Sequence, residues 1–249
     1  MLSKSRVKYI QSLYHKKFRD VELVFAIEGP KIAEEFLLHA PREIVALYAV
    51  KSWLAAKESL IQSIAPSIIF TVEEAELEKI SSLSTPNQVL AIVKQKEKPE
   101  LPTHQNGLML MLDGIQDPGN FGTIIRIADW FGITNLVCSK ECADLYNPKV
   151  IQATMGSIIR TNVVYTNLCD WCTQHAGVDM YAATLQGQSI YDCPALTDGI
   201  LVMGNESKGV NPELLGFCKK QVTIPRIGQA ESLNAAVATG IILSQLIRK

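Results

Sequence analysis

Asn120-Phe-Gly-Thr-Ile-Ile-Arg126 comes shortly after the apolar run Leu108–Leu112, and the same arrangement recurs twice. Gly204-Asn-Glu-Ser-Lys-Gly209 follows an apolar run at 200–203. Ile224-Pro225, with Glu231-Ser-Leu-Asn-Ala235 just beyond, follows one at 221–224. Each block sets polar, backbone-exposing residues at the end of what reads as a buried strand, which is where open α/β sheets build their sites. Further strands are expected at Asn135–Cys138 and 180–184, with helices between. Near-continuous apolar strands alternating with helices indicate a parallel sheet covered on both faces. The first helix should run over 120–131, with Ile124, Ile127, Ala128 and Phe131 facing the core and Gly132 supplying its carboxyl cap. Arg126 falls off that stripe, toward solvent or a cleft.

Working outward, 249 residues with 47% hydrophobic content exceed the usual single compact domain. The polar run over 94–106 contains Pro99 and Pro102 and favours an extended linker, placed at 96–106. Residues 1–95 then form a first α/β domain, with strands at 22–28, 44–50, 67–72 and 88–93 and helices at 31–38, 53–64 and 73–83. No catalytic constellation is evident in it. Residues 107–249 form the second domain. No apolar stretch reaches the roughly 18 residues of a membrane span, and the amino terminus lacks a secretory apolar region, so a cytoplasmic protein is expected. The six cysteines all lie in the second half and are expected to be reduced. Net charge is −1, yet Lys4, Arg6, Lys8, Lys16, Lys17 and Arg19 crowd the first twenty residues. That cluster is either a solvated helix face or a contact for a nucleic-acid backbone.

Several chemistries are disfavoured. Gly114 and Gly119 have Walker-type spacing, but Asn120-Phe121 stands where a lysine and a hydroxyl residue must grip phosphate and magnesium. No Gly-x-Gly-x-x-Gly follows any expected strand, which removes the dinucleotide fingerprint. Cys169-x-x-Cys172 with His175 has no second ligand pair and reads as cysteines on a helix face, not as a zinc site. No metal is expected.

Taken together, Asn120-x-Gly122-x-x-x-Arg126-x-Ala128-x-x-Phe131-Gly132, Gly204-Asn205-Glu206-x-x-Gly209, and Ile224-Pro225 with Ser232-Leu233-Asn234-x-Ala236 closely resemble the three motifs of the SpoU (TrmH-like) RNA ribose 2′-O-methyltransferases of the SPOUT superfamily. Ala153-Thr-Met-Gly-Ser157 and Arg160 resemble that family's segment after the second strand, and the likeness spans roughly 108–247. It implies a carboxy-terminal parallel-sheet domain with a deep trefoil knot, which general rules of topology would have rejected. It also implies S-adenosylmethionine held largely by backbone groups of the loops after Thr184, Met203-Gly204 and Ile224, with Leu233 closing the site. Asn120, Arg126, Glu206, Ser232 and Asn234 would surround the reacting atoms.

In this family Arg126 takes the central place, as activator of the ribose 2′-hydroxyl. Serving literally as a base would require its pKa to fall from about 12.5 to 7, a cost of roughly 7 kcal/mol, so a donor that orients the ribose and stabilises developing alkoxide charge is preferred. Blander roles exist for the others: Asn120, Ser232 or Asn234 as helix caps, and Glu206 as the partner of a turn amide. Many relatives carry a small α/β substrate-binding domain before the catalytic one, and Lys4-Ser-Arg6, Ile27-Glu28-Gly29 and Lys31 resemble that module. The resemblance therefore implies RNA contacts at Lys4, Arg6, Lys8, Lys31 and Arg160, ribosomal RNA before transfer RNA as substrate, and a homodimer formed through the carboxy-terminal domain. An inactive RNA-binding relative and a knotted enzyme methylating a base are the competing readings.

Overall fold

A computed structural model describes residues 1–97, 101–103 and 107–247, and among these the chain divides into two compact units. Most of the linker expected at 96–106 lies outside the described residues. The first unit comprises Met1–Glu97 together with Tyr146–Ile159, and the second Lys98–Leu145 with Arg160–Lys249.

In the first unit, helices α1 (Lys4–Ser12) and α2 (Lys16–Glu22) lead into strand β1 (Val24–Glu28), then α3 (Pro30–His39), β2 (Ile44–Ala49), α4 (Lys51–Ala56), α5 (Glu58–Ile61), β3 (Ile69–Thr71), α6 (Glu74–Ile80) and β4 (Val89–Lys94). The single helix expected over 53–64 is thus two short ones. The sheet order is β1-β4-β2-β3, with β4 antiparallel to both neighbours and β2 parallel to β3. Ile10, Leu13, Tyr48, Leu77, Ile80 and Ile92 pack one face of it. The basic amino terminus is helical, but Arg19 is not part of a charged surface. It is 3% exposed and donates from Nη1 to Leu13 O at 2.9 Å, so its burial is structural.

The segment returning from the second half of the chain completes this unit. Tyr146 packs its ring 4.8 Å from that of Phe25 on β1, and its hydroxyl accepts from Lys96 N–H at 3.0 Å.

The second unit runs β5 (Leu108–Leu112), α7 (Pro118–Trp130) and β6 (Asn135–Cys138). Helix α8 (Pro148–Thr154) lies in the segment lent to the first unit, packed on β1. Then come β7 (Asn162–Tyr165), α9 (Leu168–Gln174), β8 (Met180–Ser189), β9 (Gly199–Met203), α10 (Pro212–Leu215), β10 (Lys220–Thr223) and α11 (Ala235–Leu246). Among the described residues its six strands are all parallel, in the order β10-β8-β9-β5-β6-β7. Because successive strand residues face opposite ways, Met109 and Met111 join Trp171, Cys172 and Leu214 of α9 and α10 in one core layer. Helices α7 and α11 pack against each other.

Three readings from the sequence need correction here. Strand β7 was not expected. Strand β8 continues past Thr184 to Ser189, although its register against β10 jumps from Ala182↔Gln221 to Gln188↔Val222, so 183–187 bow out of the ladder. Helix α11 begins at Ala235, so of the two caps considered for it Asn234 is the one in place and Ser232 lies two residues before it. Helix α7 does end as expected: Gly132 takes φ +74° and Ile133 N–H donates to Ala128 O at 2.8 Å, closing the last turn.

Candidate active site

Backbone bonds bring the strand ends together first. Asp113 N–H donates to Met203 O at 2.8 Å, tying the step after β5 to the end of β9. Asn205 and Gly209 exchange backbone bonds of 3.0 and 2.9 Å, which closes the 204–209 loop. Only glycine fits at 204, since a Cβ there would stand 2.3 Å from the Gly209 carbonyl carbon. The Asn205 side chain then spans two loops. Its Nδ2 donates to Gly114 O at 2.8 Å, and its Oδ1 accepts from Ser207 and Lys208 N–H at 2.9 and 3.1 Å.

Asp117 caps α7, accepting from Asn120 N–H at 2.8 Å, with Pro118 in the first turn. Asn120 is therefore not the cap, and its side chain is available for other work. Its Nδ2 donates to Glu206 Oε1 at 2.7 Å and its Oδ1 accepts from Asn234 Nδ2, also at 2.7 Å. The carboxylate only accepts, so Asn120 must turn its amino group toward Glu206, and this leaves its oxygen for Asn234. Asn234 does cap its helix, accepting from Ala236 and Val237 N–H at 3.0 and 3.2 Å. It fills the bland and the functional role at once.

The remaining candidates are not joined to this chain of amides. Arg126 and Ser232 are exposed and, among the described residues, make no hydrogen bond or ion pair. Thr184 is half-buried and its hydroxyl donates to Gln221 Oε1 at 3.2 Å. Met203 is buried, Gly204 and Ile224 are half-buried, and Leu233 is 45% exposed. Leu185 and Ile227 on the neighbouring bowed segment and loop are 75% and 100% exposed.

Residues 107–244 match the model of the SpoU rRNA Methylase family. The chain belongs to that family. Residues 4–91 of this SpoU protein match the MRM3-like substrate binding domain. Along its length it is 33% identical to the 23S rRNA (guanosine(2553)-2′-O)-methyltransferase RlmP of Bacillus subtilis (strain 168), with 97% of this chain and 95% of the relative covered. The AdoMet-bound rRNA methyltransferase of Sinorhizobium meliloti is similar at a TM-score of 0.84 and 29% identity, over 99% of this chain and 96% of that one. A structure described as giving insight into 2-OH methylation of C/U34 on tRNA covers only 56% of the SpoU chain, at TM-score 0.52 and 25% identity, although 93% of its own length is matched.

Among the basic residues singled out from the sequence, Lys4, Arg6, Lys8 and Lys31 are exposed, and the Arg6 guanidinium lies 5.2 Å over the Phe70 ring. Arg160 is engaged, its Nε and Nη2 both 2.9 Å from Asp129 Oδ2 on α7. The cysteine pair sits on α9, where His175 stacks on Trp171 at 3.8 Å between ring centres and Cys172 is buried beside Met180. Burial pushes the Cys172 thiol up to about 12, so it is held protonated and is a poor metal ligand. Sequence reasoning missed Asp117 and Asn205. Asp117-Pro118 ahead of an apolar helical stripe was the available signal for the first, while Asn205 acts through contacts distant in the chain.

Proposed function

We propose that this protein is an S-adenosylmethionine-dependent methyltransferase acting on a ribose 2′-hydroxyl of ribosomal RNA, at the carboxyl edge formed by β5, β9 and β10. The observation that carries this reading is the Asn234–Asn120–Glu206 chain, which links all three sequence motifs by side-chain bonds. When bound, the cofactor supplies a methyl group on a cationic sulfur. The residues present fit it: Gly204 brings backbone close to backbone, and Leu185, Ile227 and Leu233 offer exposed apolar surface to an adenosyl group. Thr184, Met203, Gly204, Ile224 and Leu233 would hold it.

Glu206 and Asn234 fix the Asn120 amide, and a positioned polar group lowers the barrier by orienting the hydroxyl without reorganising. Arg126, exposed and without a partner among the described residues, donates hydrogen bonds to the ribose oxygen as that hydroxyl passes its proton to solvent water; Ser232, also exposed, offers a further hydroxyl. No helix among the described residues is long and apolar enough to cross a membrane. From the likeness to a 23S rRNA methyltransferase we read the protein as cytoplasmic. Metal plays no part in this mechanism.

We infer the finer architecture from what membership of this family implies. A trefoil knot is what the family's fold implies, and Gly187, where a Cβ would come within 2.6 Å of the Gln221–Val222 peptide, allows the close approach of the β8 and β10 segments that would form it. A homodimer through the carboxy-terminal domain is supported by Trp130 on α7 and Val237 on α11, apolar residues 85% and 51% exposed on two helices that pack together. RNA contacts by Lys4, Arg6, Lys8 and Lys31 suit the amino-terminal match, and Arg160 would act there only by exchanging Asp129 for phosphate. Ribosomal RNA is favoured because the match to an rRNA enzyme runs the length of the chain, whereas the tRNA-related structure covers only 56% of it. The intact amide chain argues against an inactive relative.

The test is methyl transfer from labelled cofactor to RNA from cells lacking this gene, in the presence of chelator. One ribose position in ribosomal RNA is expected to gain label. Label on a base, or on transfer RNA alone, would reject the reading.

A further inference from the structure

On the α9 and α10 side of the same edge, a cavity of about 600 Å³ opens between the ends of β5, β6, β7 and β9. It lies at the switch point of the sheet, where β5 leads to α7 and β9 leads to α10 on the opposite face, and its size falls within the roughly 300–1,000 Å³ of small-molecule sites. Its lining combines buried Leu168 and Leu214 with the half-buried carboxylate of Asp113 and four exposed charged residues, Lys140, Glu141, Lys208 and Glu213. Asp113 is held in place, its Oδ2 accepting from Asn211 N–H at 2.8 Å.

Three carboxylates against two lysines make the cavity a poor seat for a polyanion such as a polyphosphate. Gln116, Ser139 and Thr166 can donate or accept, but the carboxylates can only accept, so an occupant paired with them presents N–H donors along one edge and flat apolar faces to the leucines. Guanine does so with adjacent N1–H and N2–H₂ groups; uracil has a single N–H, and adenine and cytosine place an acceptor beside their amino group. Phosphates flanking such a base would meet exposed Lys140 and Lys208. We infer that this cavity receives the base of a guanosine of the RNA. The inference rests on the RNA methyltransferase reading, which it extends by naming the base. The cavity shares both of its central loops with the amide chain: Asn205 and Gly114 line it, Glu206 follows the first, and Asp117, the cap that frees Asn120, follows the second.

The experiment uses the full chain, with the four ribonucleoside monophosphates as probes in saturation-transfer NMR, with and without saturating S-adenosylmethionine. GMP should bind about tenfold more tightly than AMP, CMP or UMP. Asp113→Asn and the solvent-exposed Glu213→Gln should each remove that preference, with cofactor affinity measured by calorimetry unchanged within about twofold. Equal affinity for all four nucleotides, displacement of GMP by the cofactor, or full GMP preference in a folded Glu213→Gln variant would overturn the inference. Failure to bind S-adenosylmethionine at all would instead remove the methyltransferase reading while leaving the GMP comparison standing.

Discussion

Around β5 and β9 the polar side chains hold one another: Asn205 grips Gly114, Asp117 caps the helix that presents Asn120, and Asn120 bridges Glu206 and Asn234. Around β8 and β10, on the same edge of the same sheet, Leu185, Ile227 and Leu233 face solvent, and the whole stretch 225–234 is exposed. One half is organised before any ligand arrives, as a reacting centre requires. The other has few buried contacts to hold it, which places it at the low-stability end of the structure and makes ordering on binding its natural behaviour.

The contrast breaks first at Arg126, a side chain of the ordered half that has no partner among the described residues. Arg126→Ala should lower kcat by about 10²–10³-fold, the range for loss of one charge-stabilising donor, with cofactor affinity and melting temperature retained. Arg126→Lys should fail similarly, because a point charge does not reproduce the planar fork. Turnover near wild type in either variant would take Arg126 out of the mechanism.

Cofactor at 100 times its Kd should stabilise the fold by about 2.7 kcal/mol. Amide hydrogen exchange should show the gain in protection concentrated at 183–187 and 225–233, with little change at 113–117. Uniform protection would erase the distinction between the halves. Gly204→Ala should cost about 1–3 kcal/mol, since the added methyl overlaps the Gly209 backbone and the loop must shift; chemical denaturation and cofactor titration read both effects. Asn234→Ala should cost about 1 kcal/mol through the lost cap, whereas Asn120→Ala should lower turnover with a stability change within about 0.5 kcal/mol. Equal destabilisation by the two would make Asn120 structural. Smallest of all, Ile227→Ser should leave melting unchanged and raise the KM for cofactor a few-fold.

Much of the second unit was legible because its physics is local. Buried parallel strands are apolar end to end, and Leu108–Leu112, Asn135–Cys138 and 200–203 announce themselves, as does Gly132 at the end of α7. Asn162-Val-Val-Tyr165 escaped because only its two central residues are apolar and buried, too short a run to separate from a loop. The length of β8 escaped because Leu185-Gln-Gly-Gln188 is mostly polar and owes its place to β10. At the site, the motifs named Asn120, Glu206 and Asn234, but what each side chain does depends on partners 86 and 114 positions away, which no periodicity encodes. The capping role assigned as an alternative to Asn120 belongs to Asp117, and Asn205 became visible only once Gly114 lay opposite it.

The segment Tyr146–Ile159 sets the order in which a nascent chain can mature. Helix α8 lies on β1, and Gly156 sits so close to Glu35 that a Cβ there would approach within 2.8 Å. A ribosome that has released Glu97 has not yet made these residues, and at roughly 5–20 residues per second they emerge several seconds later. Until then Phe25 lacks the ring of Tyr146 and Lys96 lacks the Tyr146 hydroxyl and the Ile159 carbonyl, bonds of 3.0 Å each in the finished unit. The amino-terminal unit is thus first to begin and cannot be first to finish. A gene fragment stopped at Glu97 should yield a protein with an uncovered apolar patch on β1, prone to capture by chaperones, and supplying Tyr146–Ile159 as a separate peptide should restore its solubility.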